Sequence, residues 1–171
     1  MDLRDIKEFL KDALKYIIAI VVILIFAIYV VSFQEVIGPS MNNTLKSGDI
    51  TVVNKLVFRF RNIKRDEIVS LKKDDKIMVK RIIGLPGEHI EYKDNILYVD
   101  GKKISDSRSS STKDFKLESI GYDTIPKDMY LVLGDNRTNS SDSRTFGLVK
   151  KSDIIGKVNI RIYPFNKIKI F

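Results

Sequence analysis

From Tyr16 to Val31 the chain reads YIIAIVVILIFAIYVV without one charged side chain. Ser32 and Phe33 carry the apolar stretch to about the 18 residues that a tilted bilayer-crossing helix needs. Such a segment is either buried in a core, cleaved as a signal peptide, or kept in a membrane. A signal peptide has a shorter apolar region and a small-x-small cleavage site after it, whereas here the chain continues SFQEVIGPS. The run is therefore read as a retained spanning helix. Leu3, Ile6, Leu10, Ala13 and Ile17 recur at spacings of three and four, which predicts an amphipathic helical lead continuous with the span. Arg4, Lys7, Lys11 and Lys15 precede the span and only Lys46 follows closely, so the basic flank predicts a cytoplasmic N-terminus. Residues 1–33 thus form the N-terminal segment with its helix, and residues 34–171 an outer domain.

That outer part is of roughly one domain's size. The whole chain has no cysteine, which excludes disulfides, thiolate metal sites and a cysteine nucleophile. Its apolar residues change from runs to alternation in DITVVNKLVF, EIVSLKK, KIMVKRIIG, HIEYKDNILYVDGKKI, MYLVLGD and GKVNIRIYPF, each bounded by Gly, Pro, Asp or Asn. The two-residue period predicts a mainly β fold. His89 to Ile104 reads as a hairpin followed by a second turn, with Lys93, Asp94, Asn95, Asp100 and Gly101 at the turns. It opens a small insertion over about residues 89–128. Ser105 to Lys113 is polar and low in complexity, predicting a mobile surface excursion. Helix is expected only at the N-terminus and in a short turn near Ser152, Asp153 and Ile154.

The net charge is +8. Nucleic acid is disfavoured, because no dense basic run carries interleaved aromatics: Arg59, Phe60 and Arg61 with Lys64 and Arg65 are too few. The charge reads as a solvated basic surface, and beside a membrane segment it favours anionic lipid as partner. Glycines in IGLPGE and LGDN lack a phosphate-loop lysine, and the loop over 135–144 lacks EF-hand spacing. Neither a metal nor a cofactor is implied.

The single histidine, His89, follows the turn sequence LPGE and opens a strand of exposed character, so it reads as a surface residue rather than the base of a triad. A hydrolase built on this chain would take lysine as its base, and a lysine serves only if burial lowers its pKa from about 10.4 toward neutrality. In IMVKRII the two-residue period puts Lys80 on one face with Met78 and Ile82, and Arg81 on the other with Ile77, Val79 and Ile83. At least one cation is therefore placed among apolar neighbours. By itself this pattern more often marks a snorkelling side chain at a strand end than a catalyst.

VIGPSMNNTLKSGDITVV, IMVKRIIGLPGEHI and VLGDNRTNSSDSRTFGLV, in this order behind one N-terminal span, closely resemble the type I signal peptidases of the Gram-positive kind. The likeness covers most of residues 13 to 171, and three separated motifs agree in order and type. The resemblance implies a single spanning helix followed by an all-β catalytic domain with a small inserted hairpin region. It implies a membrane-bound serine endopeptidase that removes signal peptides from exported preproteins without a cofactor. By the same likeness Ser40, followed by Met41, is the nucleophile, Lys80 the general base, and Ser140 the hydroxyl that orients the lysine. Asp135, Arg81, Asp142 and Arg144 fall on positions whose ion pairs brace the site. Gly38 stands where some members place a serine of the oxyanion hole, leaving that role to the Ser40 backbone N–H. Substrate would lie as an extended strand beside Ile37 and near Met78. Many members have proline where this chain has Asn43, which predicts a less rigid turn after the serine. That departure is the one support for a rival reading, a catalytically silent membrane-tethered homologue that binds peptides without cutting them.

Overall fold

The computed structural model describes residues 2–106 and 111–171. Helix α1, Leu3–Val30, has no buried residue and is long and apolar enough to cross a membrane. It does not reach Phe33 as expected: strand β1, Val31–Glu35, follows at once. Apolar character alone does not separate the end of a span from a strand. Here the strand wins because β2, Ile50–Asn54, offers a partner that pairs Val31 with Asn54 and Phe33 with Val52. The helix end is covered by Lys55, whose N–H donates to Val30 O at 2.8 Å and whose Nζ donates to Ile28 O at 2.6 Å. A cation at a helix C-terminus also complements its dipole.

Helix α2, Val57–Phe60, was not anticipated. It follows a turn in which Asn54 Oδ1 accepts from the N–H groups of Leu56 and Val57, both at 3.0 Å, local bonds that leave no periodic trace in the sequence. Strands β3, Ile68–Lys73, and β4, Lys76–Gly84, follow. After them come β5, Ile90–Lys93, β6, Ile96–Val99, β7, Lys102–Ile104, and β8, Phe115–Lys116. Strand β9 is Met129–Leu133. Helix α3, Ser143–Phe146, is a second unexpected helix, capped by Asp142, which accepts from the Arg144 N–H. Strands β10, Val149–Lys150, β11, Ile154–Tyr163, and β12, Lys169–Ile170, close the chain, and the expected short turn is a 3-10 turn at Lys151–Asp153.

The strands form an eight-stranded sheet of order β1-β2-β11-β3-β4-β9-β10, with β12 on β11, and a four-stranded sheet of order β7-β6-β5-β8. The smaller sheet is the expected insertion, its turns made by Asp94, Asn95 and Asp100 at positive φ. Its core joins Ile90, Tyr92, Leu97, Val99 and Phe115 to Ile83, Leu131 and Leu133 of the main sheet. The excursion after Ile104 is not wholly a surface feature. Thr112 is buried, and Asp106 makes an ion pair with buried Arg137 at 2.6 Å. Residues 107–110 of that expected excursion lie outside the described residues.

Candidate active site

The segment before the candidate nucleophile is closed at its base by Val36 N–H to Asp49 O and Gly48 N–H to Val36 O, both 2.9 Å. Val36, Met41 and Leu45 are buried in one cluster with Val53, Ile68, Val79 and Val158. These anchors throw the residues between them outward. Ile37 is 85% exposed, and Gly38 adopts φ +84°, a conformation that L side chains rarely take. The turn itself is hydrogen-bonded: Asn42 N–H donates to Pro39 O at 3.0 Å, and the N–H groups of Thr44 and Leu45 reach Met41 O at 3.0 and 2.8 Å. Asn43 has φ +85°, which asparagine tolerates and proline cannot adopt. The expected looseness is therefore corrected: this is a different turn, held by its own bonds, rather than a slack copy of a proline turn.

Strand β4 carries the candidate base, Lys80. Val69 of β3 pairs with Lys80 and Ile68 with Arg81. Met78 and Ile82 pack in one cluster with Val69 and Val132, the face assigned to Lys80 from the alternation. Lys80 is 3% exposed, and its Nζ lies 2.7 Å from Ser40 Oγ. As an ammonium, Nζ donates to the hydroxyl; as a neutral amine it accepts the hydroxyl proton. Burial, opposed by the charges of Asp142 and Asp135 and assisted by Arg144, lowers its pKa to about 8.

Arg81 points the other way and grips Asp135 through both carboxylate oxygens, at 2.7 and 2.6 Å, with a third bond to Asp66 O at 2.6 Å. Thr44 Oγ1 donates to the same carboxylate. Asp142 accepts from Arg144 Nε and Nη2, both at 2.8 Å, and from Gly134 N–H at 3.1 Å. Its pKa is lowered: the Arg144 contacts and the Gly134 N–H outweigh the desolvation that pushes it up. These four residues thus form two ion pairs, Arg81 with Asp135 buried and Arg144 with Asp142 part-buried, and Asp142, Arg144 and Asp135 all act on the charge of Lys80.

Ser140 is placed differently from the expectation. Its buried Oγ has no partner at hydrogen-bonding geometry, although the hydroxyl is near enough to Asp142 to help hold that carboxyl down. It makes no bond to Lys80 among the described residues; that lysine sits on β4 and contacts Ser40 instead. The Ser40 backbone N–H donates to no backbone acceptor among the described residues and remains available to an oxyanion.

Two residues escaped the sequence reading. Asn136 donates its N–H to Ser40 O at 3.0 Å and its Nδ2 to Pro39 O at 3.1 Å. Arg137, 3% exposed, donates to Gly134 O at 2.9 Å and to Tyr92 Oη at 2.8 Å, tying the loop to the small sheet. The GDN motif carried a signal for Asn136. Nothing local marks Arg137, since Tyr92, Asp106 and Thr112 are far from it in sequence. Glu35, Val36, Ile37, Gly38, Pro39 and Ser40 face Ile77, Met78, Val79 and Lys80 across a cleft of about 240 Å³. The one grouping of metal-capable side chains among the described residues is His89, Glu118 and Asp123, which lies outside this cleft.

A buried lysine against a serine hydroxyl, on a β scaffold, defines the class of serine hydrolases that dispense with histidine. The family model for signal peptidase, peptidase S26, matches residues 7–163. The chain is 41% identical over 166 residues to signal peptidase I of Bacillus caldolyticus, covering 89% of this chain and 90% of that one. It is 35% identical over 181 residues to signal peptidase IB of Staphylococcus aureus, covering 95% and 94%. A crystal structure of a signal peptidase I from Enterococcus faecalis superposes with TM-score 0.54 at 36% identity, covering 58% of this chain and 98% of that one. The chain belongs to the signal peptidase family, peptidase S26.

Proposed function

We propose that this protein is a membrane-anchored serine endopeptidase that cleaves signal peptides from exported preproteins, with Ser40 as nucleophile and Lys80 as general base. The observation that carries the assignment is the 2.7 Å contact between Lys80 Nζ and Ser40 Oγ, made by a lysine that burial has brought to a pKa of about 8. The neutral amine takes the Ser40 proton as Oγ attacks the scissile carbonyl carbon. The Ser40 N–H receives the developing oxyanion. The ammonium then protonates the leaving amine, and the same lysine draws a proton from the water that hydrolyses the serine ester.

Substrate adds as an extended strand between Ile37 and Met78, where backbone bonds give affinity and side-chain pockets give selectivity. The strand would lie in the cleft of about 240 Å³ between these two segments. Ser140, Asp142 and Arg144 support the loop behind Lys80, and Arg81 with Asp135 supports the strand. Helix α1 spans the membrane with the basic N-terminal flank in the cytoplasm, which places the catalytic domain on the outer side. The surplus of basic residues favours contact with anionic lipid, attraction that salt would screen.

The test is cleavage of a preprotein by the purified full-length chain in detergent. Ser40→Ala and Lys80→Ala each abolish cleavage in a folded protein, the double variant is no worse than either single one, and Lys80→Arg fails because guanidinium keeps its proton. Near-wild-type cleavage by Lys80→Ala, or loss of cleavage in folded His89→Ala, would overturn the assignment.

A further inference from the structure

The nucleophile turn is held from outside at two places. One is the pair of Asn136 bonds to Ser40 O and Pro39 O. The other is Thr44. Its N–H is bonded back to Met41 O at 3.0 Å, so it moves with the turn. Its hydroxyl donates to Asp135 Oδ2, and that carboxylate is held on both oxygens by Arg81, the chain neighbour of Lys80 on β4.

From the opposite side the Thr44 carbonyl accepts from Arg161 Nη1 at 3.2 Å. Arg161 lies on β11 next to β2, opposite Thr51, and is fixed by Asp49 at 2.9 Å and by Lys167 O at 2.8 Å. The same Asp49 carboxylate accepts the Lys46 N–H at 2.9 Å, just past the turn. Thr44 is thus gripped between two sheet-borne arginines, one reached through Asp135 and one directly.

We infer that Thr44, clamped by Arg161, is the positioning residue that registers the Ser40 turn against the Lys80 strand. Neither side chain touches the reacting atoms. Proton transfer and attack tolerate little displacement, since an error of about 1 Å can cost about a hundredfold in rate. A hydroxyl that links the turn to the strand is a direct control on that distance. The inference rests on the Ser40 and Lys80 reading.

The experiment compares Thr44→Val, Thr44→Ser, Arg161→Met and the double variant Thr44→Val with Arg161→Met against wild type, in the full-length chain in detergent, with Lys80→Ala alongside. Thr44→Val keeps the shape and leaves Asp135 paired with Arg81, so the protein folds. Its kcat per folded molecule falls roughly tenfold with KM within about twofold, and Thr44→Ser restores the rate. Arg161→Met lowers kcat in the same direction, and the double variant loses less than the two single losses combined. The pH midpoint of the rate stays in place, because Asp142, Arg144 and Asp135, the charges that act on Lys80, are untouched. Thr44→Val with wild-type kcat per folded molecule, or Thr44→Ser falling as far as Thr44→Val, overturns the inference. Lys80→Ala separates the two readings: if it cleaves like wild type the dyad fails, whereas if it is dead and Thr44→Val is unimpaired only the role of Thr44 fails.

Discussion

The backbone N–H of Asn136 donates to the carbonyl of Ser40 at 3.0 Å. That bond makes two distant loops one object, and it needs the chain around Gly134 to run against the Ser40 turn without an intervening side chain. A Cβ built on Gly134 would stand 2.4 Å from Ser40 O and 2.2 Å from Ser140 Oγ.

Gly134→Ala therefore separates the loops. Because one of the opposing atoms is backbone, relief requires the turn itself to shift. We expect a loss of about 1–3 kcal/mol in stability and a larger proportional loss in cleavage, measured by chemical denaturation and by preprotein turnover on the same samples. Unchanged kcat in the variant would show that the close approach has no part in holding Ser40.

In the proposed mechanism Lys80 links activity to instability through one titration. Burial lowers its pKa from 10.5 to about 8, so the unfolded chain binds the proton more tightly than the folded one. Folded-state stability accordingly rises with pH between about 8 and about 10.5, and below 8 the fold bears the full penalty of the buried ammonium, on the order of 3 kcal/mol. Lys80→Met, apolar and similar in length, should be inactive yet more stable than wild type at pH 7, with the gap narrowing by pH 10. Denaturant midpoints at the two pH values check it, and the wild-type cleavage rate should climb with pH about a midpoint near 8. A variant no more stable than wild type at pH 7 would contradict the burial argument.

Asn43 provides the third test. At φ +85° glycine is an equal substitute, alanine costs about 1 kcal/mol, and proline, locked near φ −65°, cannot be accommodated. Thermal melts and cleavage assays should rank Asn43→Gly with wild type, Asn43→Ala slightly below, and Asn43→Pro far below. Full activity in Asn43→Pro would mean that the turn can take up a proline geometry without moving Ser40.

Strands β2, β5 and β6 were legible because they bury side chains on a two-residue period; β3, β4 and β9 bury nearly continuous runs, yet the alternation along β4 still opposed Lys80 to Arg81. Ser40 was singled out only through the resemblance to a family, since a serine in a polar turn has no physical signature of its own. The end of α1 was misjudged because Val31 and Phe33 suit both a bilayer and a sheet edge, and the choice was made by β2, far along the chain. Helices α2 and α3 were invisible because they are single turns, one following the side-chain bonds of Asn54 and the other capped by Asp142. Arg137 and Arg161 could not be found by inspection: their partners, such as Tyr92 and Thr44, are brought to them only by the completed sheets.

Helix α1 gives way to β1 between Val30 and Val31 with no linker, and Lys55, just past the end of β2, fastens the junction. In the proposed membrane setting the catalytic domain has no leash on which to swing. Ser40 would work at a constant height above the lipid, like a blade on a fixed gauge. Where a preprotein is cut would then be decided by how far its own chain has emerged past the bilayer.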